Sequence, residues 1–372
     1  MAEQITDNKK VIKILPSGER VIVDPVVTVS RLFMYFYLMI NVGSLLGGSS
    51  MVYAEKYIGF WAAFALPTVM FLMCPLVLST CRKRFYQTKP SGSVLGSACS
   101  LFLLALRRWS PSSGQHFWDS VKSGKRASRT ARDTDHDDAW VDQIARGFSA
   151  CGVAIWLPLF WLSYMQMTNN LTSQTATLDL KGVPNDIVSN LNPICLIIVI
   201  PVLDKIVYPY LRRHHINFTP IKRIALGFIV ASLAMISAAI TQHFIYTLSP
   251  CGTSASTCDR PAPLGIWVQI LPYTLIGISE VFASVTALEY AFTKSPKNMR
   301  SLVTGVFLLQ TAFASLLGQF LVPLSADPYL VINYIIVALL AAAGGVGFWF
   351  SHRDLDRRED ELNMLGEGNQ SP

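Results

Sequence analysis

Two carboxylates interrupt an apolar stretch in the last third of the sequence. The run GISEVFASVTALEYAF, residues 277–292, contains Glu280 and Glu289 among residues suited to a membrane interior. A charge at the bilayer centre costs about 2.5–3.5 kcal/mol, so an intramembrane carboxylate indicates a function. Glu280 precedes Phe292 by about 18 Å of helix, which predicts a position near the midplane. We expect Glu280 to bind a substrate group or a proton; the alternative is a buried, hydrogen-bonded carboxyl group.

The sequence predicts a different, structural role for Glu289. This residue lies close to the end of the same run, where it can reach the membrane surface or pair with Lys294 or Lys297. Nine residues turn a helix by about 900°, so Glu280 and Glu289 are expected on opposite faces. The two carboxylates are therefore not predicted to form a catalytic pair.

Three further polar residues lie inside apolar runs. Asn41, in YFYLMINVGSLLGG, is followed by small residues that let helices approach closely, and its amide can bond either another helix or a ligand. Asp204 and Lys205 are adjacent, about a third of a span from its cytosolic end, which favours interhelical or gate pairing over substrate contact. The same run carries prolines that should bend its helix, Pro193, Pro201 and Pro209.

The cysteines and the short motifs give no indication of a metal, a cofactor or an enzyme. None of the seven cysteines forms a CxxC pair, and the sequence contains no GxxxxGK[ST], HExxH or GxSxG motif. Only Cys251 and Cys258 share a short polar loop. They are expected to form a disulfide if that loop faces an oxidising compartment.

The composition predicts an all-α, polytopic membrane protein. Hydrophobic residues make up 51% of the chain and charged residues only 15%. Several runs reach the roughly 20 residues that a helix needs to cross a bilayer. Eight spans are predicted, at 31–51, 57–80, 143–167, 190–211, 221–245, 264–292, 301–323 and 329–350.

The basic residues predict the orientation of these spans. Alternate loops are rich in Lys and Arg, whereas the opposite loops contain only Lys56, Lys181 and Arg260 as basic residues. The positive-inside rule then places both termini in the cytosol. The polar N-terminal segment is not expected to be a signal peptide, and the net charge of +7 follows from these loops without a nucleic-acid partner.

The chain divides into five regions at this level. They are a cytosolic arm (1–30), two transmembrane helices (31–80), a cytosolic loop (81–140), a six-helix bundle (141–350) and a cytosolic tail (351–372). Within the loop, SVLGSACSLFLLALRRW is too short to span and ends in basic residues, which predicts an interfacial helix. A polar, flexible linker is expected after it, and the tail should form a short exposed helix that frays.

Several long motifs resemble one transporter family. YFYLMINVGSL is similar to the fifth-helix signature of the proton-dependent oligopeptide transporters, a branch of the major facilitator superfamily. SVTALEYAFTKSPKNMRSLVTGVFLL resembles the tenth and eleventh helices of that family, and GVPNDIVSNLNPICLIIVIPVLDKIVYPYLRR resembles its fungal branch. The resemblance covers nearly the whole chain. It implies that the chain begins before the fifth of the family's twelve helices and lacks the first four, including the first-helix motif.

The resemblance also implies roles for individual residues. Asn41 would contact the peptide backbone, Trp161 and Asn192 would line the cavity, and Glu280 would meet the amino terminus of the peptide or act in gating. Many relatives carry an acidic proton site where this sequence has Met165. Proton coupling through the helix that contains Met165 is therefore not expected in this chain.

The function that the resemblance implies is transport of di- and tripeptides by proton symport. Peptide, protons and the lipid bilayer would be the partners, and the proton gradient would replace any cofactor. The plasma membrane is the expected location. The alternative is a non-transporting membrane protein, either a truncated one or a fragment from an incomplete gene model.

Overall fold

Eight apolar helical segments form the body of the molecule. The computed structural model describes residues 11–14, 18, 20–23, 25–84, 94–109, 117–122 and 138–357, and within these ranges eight segments are long and apolar enough to cross a membrane. They are Val27–Tyr57, Phe60–Cys81, Trp140–Ala176, Asn185–Arg213, Pro220–Leu248, Ile266–Lys294, Arg300–Leu324 and Leu330–Asp354. Each segment overlaps one predicted span. The predicted all-α, eight-span architecture is confirmed.

The secondary structure follows the chain in this order. The α-helices are α1 (Pro25–Tyr57), α2 (Phe60–Cys81), α3 (Val94–Arg108), α4 (Asp138–Ala154), α5 (Leu157–Met165), α6 (Asn170–Ala176), α7 (Leu191–Val202), α8 (Tyr208–Arg213), α9 (Pro220–Leu248), α10 (Ile270–Glu280), α11 (Thr286–Lys294), α12 (Arg300–Leu321) and α13 (Leu330–Arg357). The strands are β1 (Val11–Ile14), β2 (Arg20–Val23), β3 (Leu178–Asp179) and β4 (Ala262–Gly265); β1 pairs antiparallel with β2, and β3 pairs parallel with β4.

The third span is longer than predicted because three helices follow one another. Pro158 has no N–H to donate to the carbonyl group of Ala154, and α4 ends at that alanine. Polar residues then extend the span through α6 to Ala176, beyond the predicted end at 167. Hydropathy detects only the apolar middle of such a segment, because the polar turns at its end contribute little to the average.

Two spans contain a π-helical turn in their middle. Leu203–Val207 joins α7 to α8, and Val281–Val285 joins α10 to α11. In the first case the turn lies between Pro201 and Pro209, where the sequence predicts a bend. Pro209 cannot donate a backbone hydrogen bond, and a wider turn accommodates its ring. A single π turn of this kind often marks a functional site in a helix.

The N-terminal two-span piece, α1 and α2, packs against the rest through α1. Met34 belongs to a buried apolar group with Leu196 and Ile200 of α7 and with Val281 of the second π turn. In α2 the buried side chains are those of Ala62 and Ala63, and most of its large apolar residues are exposed. Two larger apolar cores lie within the six-span bundle, one of them including α3.

The predicted region boundaries at the two ends differ from the helices. The strands β1 and β2 form a hairpin within the predicted arm, and α1 begins at Pro25 rather than at residue 31. The last helix continues to Arg357, into the predicted tail. The remainder of the predicted tail and most of the predicted linker lie outside the described residues.

The helix α3 forms at the place where the sequence predicts an interfacial helix. A short turn at 117–122 follows it, and Lys122 ties this turn to α4 through an ion pair of 2.6 Å with Asp142. The hydrogen bond to Asp142 raises the pKa of Lys122 above its ordinary value.

Candidate functional site

Glu280 is the last residue of α10 and lies at the centre of its span. The segment Ile266–Lys294 places it fourteen residues from either end, and its side chain is 3% exposed. The amide Nδ2 of Asn192 donates to Oε2 at 3.0 Å, and the hydroxyl group of Tyr37 donates to Oε1. A buried carboxylate is tolerated only when such donors compensate for the lost water.

A second tyrosine completes the surroundings of this carboxylate. The hydroxyl group of Tyr164 in α5 lies close to the side chains of Glu280 and Asn192. Trp161 packs edge to face against Tyr164, with ring centroids 5.2 Å apart. The carboxyl group is therefore contacted by side chains from three other helices, α1, α5 and α7.

Asn41 joins the same group through Tyr37. It lies one helical turn further along α1, is buried, and donates from Nδ2 to the backbone carbonyl of Tyr37 at 2.9 Å. The sequence left open whether this amide bonds another helix or a ligand, and here it bonds its own helix. We call these six residues the Glu280 cluster, namely Tyr37, Asn41, Trp161, Tyr164, Asn192 and Glu280.

A close approach between two helices positions Asn192 in this cluster. A Cβ atom on Gly277 of α10 would lie 2.7 Å from Oδ1 of Asn192 and 3.3 Å from Sγ of Cys195. Only a residue without a side chain lets α7 approach α10 this closely one turn before Glu280. The glycine therefore fixes the distance between the amide and the carboxylate.

The cluster presents two kinds of acceptor to a positively charged donor. Glu280, when ionised, accepts hydrogen bonds only. Oδ1 of Asn192 is buried, and no donor among the described residues reaches it. A carboxylate beside an unpaired amide oxygen suits an ammonium group, which has three donors and no acceptor. The arrangement also suits a proton, because protonation removes the cost of burying the charge.

Asp204 and Lys205 lie in the first π turn and point in different directions. Asp204 is buried and accepts from Nε of Arg31 at 3.1 Å and from the hydroxyl group of Tyr35 at 3.3 Å. Lys205 is exposed. Interhelical pairing therefore involves Asp204 and α1, and the structure separates it from the adjacent lysine.

Glu289 lies apart from the Glu280 cluster, in α11. It is buried, and Oε2 lies 3.6 Å from Nη1 of Arg223 in α9. The sequence predicted that Glu289 would reach the membrane surface or pair with Lys294 or Lys297. It gave no indication of Arg223. The guanidinium group is itself stacked 4.7 Å from the ring centre of Tyr208, which holds the cation in this position.

On the other side of the bundle, Cys251 and Cys258 form a disulfide, with Cα atoms 5.8 Å apart. The loop that they close is tied to the seventh and eighth spans through Asp327, which accepts from the backbone N–H of Ser256 at 2.8 Å. Asp327 also accepts a hydrogen bond from the hydroxyl group of Tyr246.

Sequence reasoning missed two members of the Glu280 cluster and one glycine. Tyr37 lies four residues before Asn41, a spacing that places both on one helical face, so this signal was available. Tyr164 follows Trp161 by three residues, but an aromatic belt at the membrane surface explains such residues equally well. Gly277 carried no such signal, because its role depends on a helix from elsewhere in the chain.

Comparisons with known proteins place this arrangement in a family. The sequence pattern of the POT family (PTR2) matches residues 3–337. The chain belongs to the POT family. The resemblance found in its motifs is thereby confirmed, and the chain is an integral, multi-pass membrane protein.

Curated fungal relatives of this POT family chain align over almost all of it. Peptide transporter PTR_B of Candidozyma auris is 39% identical over 370 residues, which are 98% of this chain and 62% of that protein. Probable peptide transporter ptr2 of Schizosaccharomyces pombe is 38% identical, with 98% of this chain and 58% of that protein covered. Peptide transporter PTR2 of Saccharomyces cerevisiae is 34% identical, with 98% and 59% covered. The chain thus spans about 60% of the length of these relatives.

Solved structures of the POT family share the fold. The family transporter PepTSo superposes with a TM-score of 0.66 at 18% identity, covering 87% of this chain and 71% of that structure. An auto-inhibited POT family peptide transporter gives a TM-score of 0.64 at 18% identity, with 92% and 72% covered. The described helices therefore have the fold of these POT family transporters.

Proposed function

We propose that this chain carries the larger part of a transporter for small peptides, di- and tripeptides, that moves its substrate together with protons. The observation that carries the proposal is the Glu280 cluster, a buried carboxylate at the middle of a span beside an unpaired amide oxygen. The names of the curated relatives support peptides as the substrate class. They do not favour the alternative of a non-transporting membrane protein.

In this proposal Glu280 and Asn192 receive the amino terminus of the peptide. The ammonium group takes the hydrogen-bonding position of the Tyr37 hydroxyl on the carboxylate and donates a second bond to Oδ1 of Asn192. The amide of Asn41, one turn from Tyr37, then bonds the peptide backbone. Trp161, packed against Tyr164, forms an apolar wall for the first side chain of the peptide.

The same contacts couple binding to a change in shape. Tyr37 belongs to the N-terminal two-span piece, whereas Asn192 and Tyr164 belong to the six-span bundle. A ligand that replaces the hydrogen bond of Tyr37 to Glu280 loosens the link between the two pieces. Alternating access requires that events at the binding site change the contacts between such pieces. A proton that reaches Glu280 only after access has switched removes its attraction for the ammonium group and favours release on that side, so peptide and proton move in the same direction. Protonation and peptide binding thereby act on one carboxyl group.

The proposed orientation places both termini in the cytosol, with the plasma membrane as the host. The basic loops that precede and follow the spans support this orientation, because Lys and Arg are retained on the cytosolic side. Loop 251–258, with its disulfide, then faces the exterior, where disulfides persist.

Uptake by the purified chain in proteoliposomes tests the proposal. A labelled dialanine is supplied outside, with the outside more acidic than the lumen, and an N-acetylated dialanine is the matched control because it lacks the ammonium group. We expect accumulation of dialanine that collapses when a protonophore removes the gradient, and none of the acetylated peptide. Absence of uptake from protein that melts cooperatively, or equal uptake of both peptides, would contradict the proposal.

A further inference from the structure

The helix α3 connects the two groups of spans and has two separate apolar faces. The first face is buried, with Ala98, Leu101 and Ala105 each no more than 1% exposed. These positions follow the spacing of a helix face that packs against protein. They belong to the same apolar core as Ile144 of α4.

An aromatic group fixes the rotation of α3 on the bundle. The ring of Phe102 is stacked on Phe148 of α4 at 5.0 Å, and Trp118 of the following turn lies 5.4 Å from Phe148. Phe117 packs against Phe102 from the same turn at 5.6 Å. The helix therefore cannot turn its second face inward without breaking these contacts.

The second apolar face is open. Leu95, Leu103 and Leu106 are 53%, 54% and 54% exposed, and Cys99 between them is also exposed. At about 100° per residue these four positions form a stripe that directly adjoins the buried face. The remaining positions of the helix include Ser97, Ser100 and the cations of its last turn. We call Leu95, Cys99, Leu103 and Leu106 the open stripe.

The sequence before and after the open stripe carries charge of one sign. Residues 82–118 contain no Asp or Glu. Their cations are Arg82, Lys83, Arg84, Lys89, Arg107 and Arg108. Arg107 lies on the exposed side of α3, next to the open stripe around the helix. A leucine stripe flanked by cations is typical of helices that lie in a membrane surface containing anionic lipids.

The position of α3 along the bundle agrees with such a surface. Phe148 is next to Gly147, and a Cβ atom there would lie 2.6 Å from the methyl group of Met299. Met299 ends the short connection between the sixth and seventh spans. The helix α3 therefore lies level with a loop that is cytosolic in the proposed orientation, at the end of the spans and not at their middle.

We propose that the open stripe of α3 inserts into the cytosolic leaflet and that anionic phospholipid headgroups hold it there through the surrounding cations. The buried face packs against α4 while the adjoining stripe enters the lipid. The helix α3 therefore lies between the bundle and the bilayer surface and contacts both. This inference rests on the proposed orientation and is independent of the substrate.

The thiol of Cys99 reports whether the stripe is inserted. The full chain is placed in nanodiscs, one chain per disc, made of phosphatidylcholine alone or with phosphatidylserine added. A water-soluble maleimide then labels the protein, and mass spectrometry follows the rate at Cys99. We expect labelling several-fold slower in discs with phosphatidylserine, and high salt should remove most of this difference because it screens the cations.

Two variants with the same added charge separate insertion from charge alone. Leu103→Glu places a carboxylate in the open stripe, and we expect labelling of Cys99 to become fast in both lipids. Ser100→Glu places it on the polar side of the same helix and should keep most of the protection. Equal labelling of the unchanged chain in both lipids would overturn the proposal. Protection that survives Leu103→Glu would also overturn it, because protein contacts would then cover the stripe.

Discussion

At the scale of single residues, two glutamates of one span have different surroundings and should respond differently to substitution. Glu280 accepts hydrogen bonds from neutral donors of α1 and α7, with Tyr164 of α5 nearby, whereas Glu289 lies beside the guanidinium group of Arg223. A carboxylate held by neutral donors can exchange one of them for a ligand. A carboxylate paired with a buried cation is held by charge, and removing it leaves that cation without its counter-charge.

Replacing Glu280 by Gln should abolish recognition of the peptide amino terminus while preserving the fold. Glutamine keeps the size of the side chain but has no negative charge to attract an ammonium group. We expect dialanine affinity to fall at least about tenfold, or about 1.4 kcal/mol. The melting temperature should not fall. Binding of dialanine to detergent-solubilised protein measures this change, and unchanged affinity would exclude Glu280 as the ammonium site.

Replacing Glu289 by Gln should have the opposite pattern. Arg223 would lose its ionic partner in a largely buried position, at a cost of about 1–3 kcal/mol. We expect a lower melting temperature and an unchanged dialanine affinity for the protein that remains folded. The double variant Glu289→Gln with Arg223→Met should recover part of the loss. A normal melting temperature in the single variant would show that the pair contributes nothing to stability.

At the scale of elements, the π turns place the buried carboxylates. The turn Leu203–Val207 contains Asp204, and the turn Val281–Val285 begins directly after Glu280. A π turn adds backbone to a helix and changes the direction of the side chains that follow it. Each turn also faces α1, through Arg31 in the first case and Met34 in the second. The irregular backbone thus lies where the two-span piece meets the bundle.

The second π turn depends on a glycine of the neighbouring helix. A Cβ atom on Gly227 in α9 would lie 2.7 Å from both the Cβ and the backbone nitrogen of Ala283. We expect Gly227→Ala to lower the free energy of unfolding by about 1–3 kcal/mol, because a backbone atom must move. The matched control is Gly305→Ala in α12, where no atom lies within 4 Å and a small gain from helix propensity is expected.

Thermal melting of both variants in the same detergent measures this difference. Equal melting temperatures for Gly227→Ala and Gly305→Ala would mean that α9 can move away from the π turn without a loss of stability. A fall confined to Gly227→Ala, accompanied by weaker dialanine binding, would show that the π turn also sets the position of Glu280.

At the scale of the whole molecule, the predicted orientation follows from the placement of the loops. An even number of spans returns the chain to its starting side, so eight spans should put both termini on one side of the membrane. The disulfide loop 251–258, between the fifth and sixth spans, should then lie on the other side.

Fluorescent tags at the termini and a thiol reagent test this orientation in intact cells. An impermeant maleimide, applied after mild reduction, should label Cys251 and Cys258 from outside, whereas protease added outside should leave both terminal tags intact. The variant Cys251→Ser with Cys258→Ser is the control for the labelled loop. Loss of a terminal tag to external protease would contradict the predicted topology.

The sequence by itself determined the number of spans, the membrane environment and the family of motifs. Apolar runs of spanning length and the family motifs are local properties, so they can be read without knowing which helices touch. The same holds for the depth of Glu280, which depends only on its distance from the end of its own run. The disulfide between Cys251 and Cys258 was predictable for the same reason, because the two residues lie in one short loop.

Only the tertiary structure decided which groups meet. Tyr37, Tyr164 and Asn192 come from three distant segments, and their contacts with Glu280 depend on how closely α10 and α7 pack at Gly277. Arg223, which lies 3.6 Å from Glu289, belongs to another helix, so spacing along the helix of Glu289 gave no indication of it. The π turn after Glu280 was equally hidden from the sequence, whereas Pro201 and Pro209 indicated a bend at the first one. A carboxylate in a membrane requires hydrogen-bond donors from the fold around it. The sequence shows that such donors are required, but only the packing of the helices determines which residues they are.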